Sequence, residues 1–293
     1  MTRQASIKQT VKGYTRSLIP LSVRKRLAVW LYHQKWLNYN RRSWWSQELI
    51  QDLASLNIND YHKFLWSNHL AYSAPYEISQ KFGHENMQQS RIMLFSDLTE
   101  HLMRMSVNPS ADIKSVFEVG CSLGYLLRYC ETDIFPSATD IEGSDIDQYA
   151  IRIGSEYLRS IGSRVRLTCG DMEELNHLMN NKIYDVILCP GVLMYLHENA
   201  ACQVVDVLLQ HTGVMLALTG LAHPDIDNAE LQHSVARDRD QSFIHNFDSM
   251  ITKAGGQIVA RRWGGSTVVD GHTIYFVFAT GKDRIGTHIA NLR

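Results

Sequence analysis

Long apolar runs are missing from this chain: no stretch of about 18 or more uncharged apolar residues occurs, so no segment reads as a membrane span. The opening residues lack the short apolar core and small-residue cleavage site of a secretory signal, and the chain is expected in a cytoplasm. Prolines are few, six in 293 residues, and no segment is repeated or low in complexity. Cysteine is sparse as well. Cys121, Cys130, Cys169, Cys189 and Cys202 are odd in number and form neither a CxxC nor a Cys/His metal spacing, so they read as small buried residues kept reduced. Net charge is nearly absent, at -1, but the balance is uneven. Residues 1–50 hold ten Lys/Arg against the single acid Glu48, which leaves nineteen bases and twenty-nine acids for the rest. A basic arm precedes an acidic body.

What is present is an ordinary globular composition, 45% hydrophobic and 20% charged. The arm is rich in tryptophan. Pro20 and Ser22 open a predicted helix with Val23, Leu27, Trp30 and Leu31 on one face and Arg24, Lys25 and Arg26 toward another. Residues 51–110 read as further helices, the clearest over 85–105, and Asn108-Pro109-Ser110 marks a boundary. From 111 to 293 strands alternate with helices. Strands are expected at 116–119, up to Ser144, at 165–168, 184–189 and 214–218, and near 257–263 and 273–279, with helices over 123–130, 147–161 and 199–210 and one capped by Asn246. That alternation predicts a mostly parallel sheet covered on both faces, closed by an antiparallel pair.

Four local patterns carry chemistry. Glu118-Val119-Gly120-Cys121-Ser122-Leu123-Gly124 follows the first strand, and small side chains there let a ligand approach the backbone. The dinucleotide fingerprint fails, because Ser122 and Tyr125 stand where it needs Gly and Gly or Ala. Gly143-Ser144-Asp145-Ile146 ends the second strand, one strand-helix-strand period after Gly120, and Asp145 is placed to accept from both hydroxyls of a ribose; Asp147 reads as a helix N-cap. Gly170-Asp171-Met172 follows the third strand, with a carboxylate for an adenine amino group and a thioether for its ring. Cys189-Pro190-Gly191 ends the fourth.

In this order the four patterns resemble the motifs of class I S-adenosylmethionine (SAM)-dependent methyltransferases, over about residues 112–281. The resemblance implies an α/β, Rossmann-like, seven-stranded, mostly parallel sheet with an antiparallel last strand, behind an N-terminal helical extension. It implies that Glu118, Gly120, Cys121, Ser122 and Gly124 line the methionine end of SAM, that Asp145 and Ile146 hold the ribose, that Asp171 and Met172 hold the adenine, and that Cys189 and Pro190 face the reacting methyl group. The cofactor supplies an electrophile and the protein supplies binding and orientation.

The acceptor is less marked. A hydroxyl acceptor calls for a base, most often His. Many small-molecule members of the family carry His where this chain has Met194 and Tyr195, so Tyr195 is a pocket residue or a packing residue. His223, after the fifth strand, and His245, before the next helix, are each a candidate base or a surface or capping residue. Trp66, His69, Tyr72 and Tyr76 either close over cofactor and substrate or pack the N-terminal helices. No metal is expected, since Asp227-Asn228 come too late in the chain to serve the metal-dependent catechol type. The Asn/Asp-Pro-Pro-aromatic signature of nucleic-acid amino-methyltransferases is absent. In overall character the chain is similar to bacterial methyltransferases of glycan and secondary-metabolite pathways, which implies O-methylation of a small-molecule or carbohydrate-like acceptor, a lipid-linked or envelope glycan among them. The alternatives are an RNA methyltransferase using the basic arm and a SAM-binding regulator without turnover. The arm itself packs on the acidic body, lies on an anionic membrane through residues 1–45, or binds nucleic acid; the acidic catalytic body disfavours the last.

Overall fold

A computed structural model describes residues 19–34, 36–71, 78–238 and 240–281. It divides into two compact units, one ending at Pro75 and one beginning at Tyr76.

The first unit contains helices α1 (Leu21–Tyr32), α2 (Tyr39–Ile50), α3 (Leu53–Leu56) and α4 (Ile58–Ser67). Asn38 caps α2 by accepting from the Asn40 N–H at 3.0 Å, and Asn57 caps α4 by accepting from the Asp60 N–H at 3.2 Å. A small core forms from Ala28, Tyr32, Ile50, Leu65 and Leu70. The buried stripe of α1 is therefore Arg24, Ala28 and Tyr32, and the predicted apolar face with Val23 and Trp30 points outward. Arg24 sets this rotation. Its guanidinium grips both oxygens of Asp52, at 2.6 and 2.8 Å, and donates to the Leu49 carbonyl at 2.9 Å. A planar fork with a bidentate partner tolerates burial that a lone charge does not.

The second unit opens with α5 (Ile78–Phe82) and α6 (Gln89–Arg104) and then enters a seven-stranded sheet. In chain order the strands are β1 (Ser115–Val119), β2 (Asp140–Asp145), β3 (Arg166–Cys169), β4 (Tyr184–Pro190) and β5 (Thr212–Gly220), then the two-stranded pair β6 (Val235–Ala236) and β7 (Phe243–Ile244), then β8 (Gln257–Val269) and β9 (His272–Thr280). The large sheet runs β3-β2-β1-β4-β5-β9-β8, with the first five strands parallel and β9 antiparallel to both neighbours. Helices α7 (Tyr125–Tyr129), α8 (Gln148–Ser160), α9 (Leu175–Met179), α10 (Glu198–His211) and α11 (Phe247–Lys253) connect the strands.

Side chains alternate along each strand, so consecutive residues feed two cores. Val116, Ile141, Val186, Leu188 and Phe276 face one side with Leu94, Leu98 and Leu102 of α6 and Leu158 of α8. Phe117, Val119, Ile187, Leu216 and Val277 face the other with Val204 and Leu208 of α10 and Ile251 of α11. Every residue of β4 is buried, as a central strand covered on both faces requires.

Strand order reverses between β1 and β4, and the crevice at their carboxyl ends is where an open α/β sheet takes its ligand. Two elements depart from expectation nearby. Helix α7 starts at Tyr125, because Gly120, Ser122 and Gly124 hold φ of +70°, +50° and +80° and delay helical geometry. Strand β8 continues to Val269 through register shifts beyond Trp263, with Gly265 at φ +52°.

Candidate active site

Parallel pairing brings the four sequence patterns to one edge. Glu118 pairs with Gly143 and Leu188, and Asp145 pairs with Cys169, so the ends of β3, β2, β1 and β4 stand side by side. The loop after β1 is hung from β2: the Gly120 and Cys121 N–H groups both donate to the Ser144 carbonyl, at 2.8 and 3.1 Å. Asp145 completes the link by accepting from the Ser122 N–H at 2.8 Å, while its other oxygen accepts from the Asp147 N–H at 2.9 Å. The carboxylate keeps acceptor capacity beyond these bonds for a ligand hydroxyl. Burial pushes the Asp145 carboxyl above its usual range, opposed by these N–H donors. Asp147 caps α8 through the Tyr149 and Ala150 N–H groups. At Gly120 a β-carbon would lie 2.4 Å from Val192 Cγ2, so glycine is needed where the loops after β1 and β4 meet.

Glu118 is 2% exposed, and its Oε2 has no hydrogen-bond partner. Burial drives its pKa up to about 8, with the nearby Arg91 charge opposing the rise and Asp145 adding to it. Arg91 lies in the first turn of α6. Its Nη2 donates to the Pro190 carbonyl at 3.3 Å, and its Nε is buried without a partner. A buried acceptor and a buried cationic donor thus stand unsaturated at the same end of the crevice. That pairing fits an amino-acid tail, its ammonium at the Glu118 acceptor and its carboxylate at the Arg91 guanidinium. Sequence reasoning missed Arg91, which precedes β1 in a stretch with no motif; its one signal was a basic residue at the start of a strongly periodic helix.

Asp171 follows β3 and caps a short 3-10 turn, accepting from the Glu173 N–H at 3.1 Å, with Met172 half-buried beside it. Ile146 is half-buried between Asp145 and the α8 cap. Cys189 and Pro190 are buried at the end of β4, and Gly191, at φ +75°, turns the chain there and donates its N–H to the Thr219 carbonyl at 3.0 Å. Burial raises the Cys121 thiol well above its ordinary value and the Cys189 thiol to about 12, so neither is a nucleophile at neutral pH.

The segment from Leu221 to Asn246, with the β6–β7 pair, packs over the loop after β4 through Leu221, Leu231 and Ile244 against Met194 and Tyr195. Burial takes the Tyr195 hydroxyl up to about 12, where Asp240 adds to the rise and Arg237 and Arg91 oppose it. His245 is 2% exposed and has both ring nitrogens engaged. Nε2 lies 2.9 Å from the Leu193 carbonyl, which only accepts, so Nε2 carries the proton and Nδ1 accepts from the Ser234 hydroxyl at 2.6 Å. Burial lowers its pKa to about 4. His223 uses Nδ1 to accept from the Asp225 and Ile226 N–H groups, both at 3.2 Å, which leaves Nε2 to carry the proton and act as a donor. Asn228, fully buried, ties this segment together by donating to the Leu221 and His245 carbonyls at 3.0 and 2.8 Å. Trp66 and His69 belong to the first unit, on α4 and just after it, and Tyr72 and Tyr76 lie outside the described residues.

This sheet order, with its reversal, glycine loop and acidic residues on successive strand ends, defines a Rossmann-like methyltransferase fold. A family model described as a methyltransferase domain matches residues 116–213, from β1 to the start of β5. Over those residues the chain carries a methyltransferase domain. Among solved structures, it is similar to the [4+2]-cyclase SpnF, at 16% identity and a TM-score of 0.51 over 64% of this chain and 80% of that one. It is also similar to magnesium protoporphyrin IX methyltransferase from Synechocystis PCC 6803, solved with bound SAM, at 15% identity and a TM-score of 0.49 over 80% and 95% of the two chains. These likenesses concern the fold alone. No curated protein matches the chain.

Proposed function

We propose that this enzyme transfers the methyl group of SAM to an oxygen of a small, carbohydrate-like acceptor, and that this oxygen is already ionised when it arrives, as in a sugar carboxylate. In the proposal Glu118 and Arg91 hold the amino-acid tail, Gly120 to Gly124 with Cys121 and Ser122 admit it to the backbone, Asp145 and Ile146 take the ribose, and Asp171 and Met172 take the adenine. Cys189 and Pro190 wall the side where the acceptor enters. Bound SAM supplies a sulfonium-activated methyl group; the chain's part is to bind, align and exclude water.

The carrying observation is the state of the two histidines. Both rings present N–H rather than a free basic nitrogen: His245 to the Leu193 carbonyl, and His223 at Nε2, because its Nδ1 accepts from two backbone N–H groups. A neutral alcohol gains no base from either. A carboxylate needs none, and the His223 Nε2–H is a hydrogen-bond donor suited to orienting it.

The test is an acceptor screen of paired neutral sugars and their uronic acids, read as S-adenosylhomocysteine formed. Turnover confined to the acids, with a product methyl group released by mild alkali, supports a methyl ester. An alkali-stable methyl on a neutral sugar would overturn the ionised-acceptor reading and return His223 to the role of base through its other tautomer.

A further inference from the structure

We propose that the outer faces of α1 and α2 form a docking surface for an anionic lipid membrane. The proposal does not depend on the acceptor assigned above. Four of the chain's six tryptophans fall within residues 30–45, and none of the four is buried: Trp30 is 53% exposed, Trp36 72%, Trp44 46% and Trp45 51%. Val23, at 50%, joins Trp30 and the exposed Arg26 on the outward face of α1; on α2, Arg41 stands beside Trp44 and Trp45. Large exposed indoles are costly in water, and four of them exposed within residues 30–45 mark an interaction site.

The chemistry selects lipid. Indoles favour the boundary between headgroups and acyl chains, where the ring is apolar and the N–H stays wet. No described helix is long and apolar enough to cross a membrane, so the contact is peripheral. The bases fit a membrane better than a polynucleotide. Arg24 is committed to Asp52, the Lys25 ammonium sits over the Phe64 ring at 5.1 Å, and the Arg42 guanidinium sits over the Tyr32 ring at 5.8 Å. Only Arg26 and Arg41 are left on the outer faces among the described residues, too few to track a phosphate backbone but suited to a diffuse anionic surface. Trp44 and Trp45 pack edge to face at 4.8 Å, and that arrangement does not offer two parallel planes to stacked bases. A second copy of this face is disfavoured by charge, since Glu48 is the sole acid on the two helices.

The experiment is sedimentation of the full chain with phosphatidylcholine vesicles, with and without phosphatidylglycerol, beside a single-stranded oligonucleotide titration. The expected result is binding that needs the anionic lipid and weakens with salt. The W30A/W44A/W45A variant should bind at least about tenfold more weakly, and R26Q/R41Q should fall on the order of tenfold. All five positions are exposed, and matching far-UV circular dichroism checks the fold. On the wild-type protein itself, tryptophan emission should shift to the blue on vesicle addition and be quenched by lipids brominated near the headgroup. Equal sedimentation of wild type and the triple-tryptophan variant overturns the proposal. So does an unshifted emission, capture by the oligonucleotide with indifference to vesicles, or a dimer that the triple variant abolishes.

Discussion

Glu118 is a buried acid and Asp145 a half-buried one on adjacent strand ends, but they differ in what already satisfies them, and their substitutions should report differently. Asp145 accepts two backbone N–H groups, so its removal undoes the tether of the glycine loop as well as a ligand contact. Asp145→Ala should weaken S-adenosylhomocysteine binding by about 1–3 kcal/mol, the scale of unmade buried hydrogen bonds; calorimetric titration measures it, and unchanged affinity would mean the ribose sits elsewhere. Glu118 has an unpartnered oxygen and a pKa raised to about 8. A carboxyl with a higher pKa in the fold than in the unfolded chain holds its proton better when folded. Its contribution to stability is therefore present below the unfolded value and is lost as pH rises through about 8. Urea unfolding should show Glu118→Gln gaining on the wild type as pH climbs from about 5 to about 8, by about 2–4 kcal/mol at the top of that window. A constant difference across the window would place the raised pKa on another group. Arg91 and His245 show where single residues escape sequence reading. The four motifs are legible because a few contiguous residues carry each one. The role of Arg91 is written only in the docking of α6, which brings it to the Pro190 carbonyl from a distant part of the chain. His245 lies next to a capping asparagine and reads as a loop histidine, while its partners Leu193 and Ser234 come from two other segments.

Helix α8 carries a lesson at the scale of elements. Gly154 sits in its interior, where Gly→Ala ordinarily stabilises a helix by about 1 kcal/mol. Here a β-carbon at 154 would fall 2.3 Å from the Leu123 carbonyl oxygen and 2.8 Å from Leu123 Cα. Both contacts are backbone, and they belong to the glycine loop itself. Gly154→Ala should therefore destabilise the protein, by about 1–3 kcal/mol as overpacking does, and should lower cofactor affinity in the same variant. Thermal unfolding with and without S-adenosylhomocysteine reads both effects; a raised Tm with intact binding would show that α8 can retreat freely. In the sequence this glycine looks like a defect in a good amphipathic helix, because periodicity records which face is buried and not how closely two backbones approach. Helix α1 teaches the same point in another way. Its apolar residues suggest one rotation, but the buried Arg24–Asp52 pair sets a different one, with Ala28 and Tyr32 inward. A charge is assumed to face water until its partner is known, and Asp52 lies beyond the next helix.

Across the whole molecule, the alternation of strands and helices foretold the sheet, and the short link between the last two strands foretold the antiparallel closure. Neither signal fixed how far β8 extends, because its end is set by pairing with β9 across bulges rather than by its own composition. The topology has a consequence for ligand response that no single site has. Apart from Arg91 of α6, the proposed cofactor residues sit at the carboxyl ends of β3, β2, β1 and β4, while the β8–β9 turn lies on the far side of the sheet order. S-adenosylhomocysteine at a hundredfold excess over its dissociation constant should stabilise the native state by about 2.7 kcal/mol through mass action. Hydrogen exchange should distribute that gain unevenly. The loops at 120–125, 143–147, 170–172 and 190–193 should slow most, because their amides open locally in the free protein and are held directly by the ligand. The amino ends of the same strands, at Ser115, Asp140 and Tyr184, should change only by the global term. Uniform slowing across both sheet edges would mean that the ligand acts on global unfolding alone. Slowing concentrated at the amino ends would put the site on the wrong edge and, with it, every residue assignment made for the cofactor.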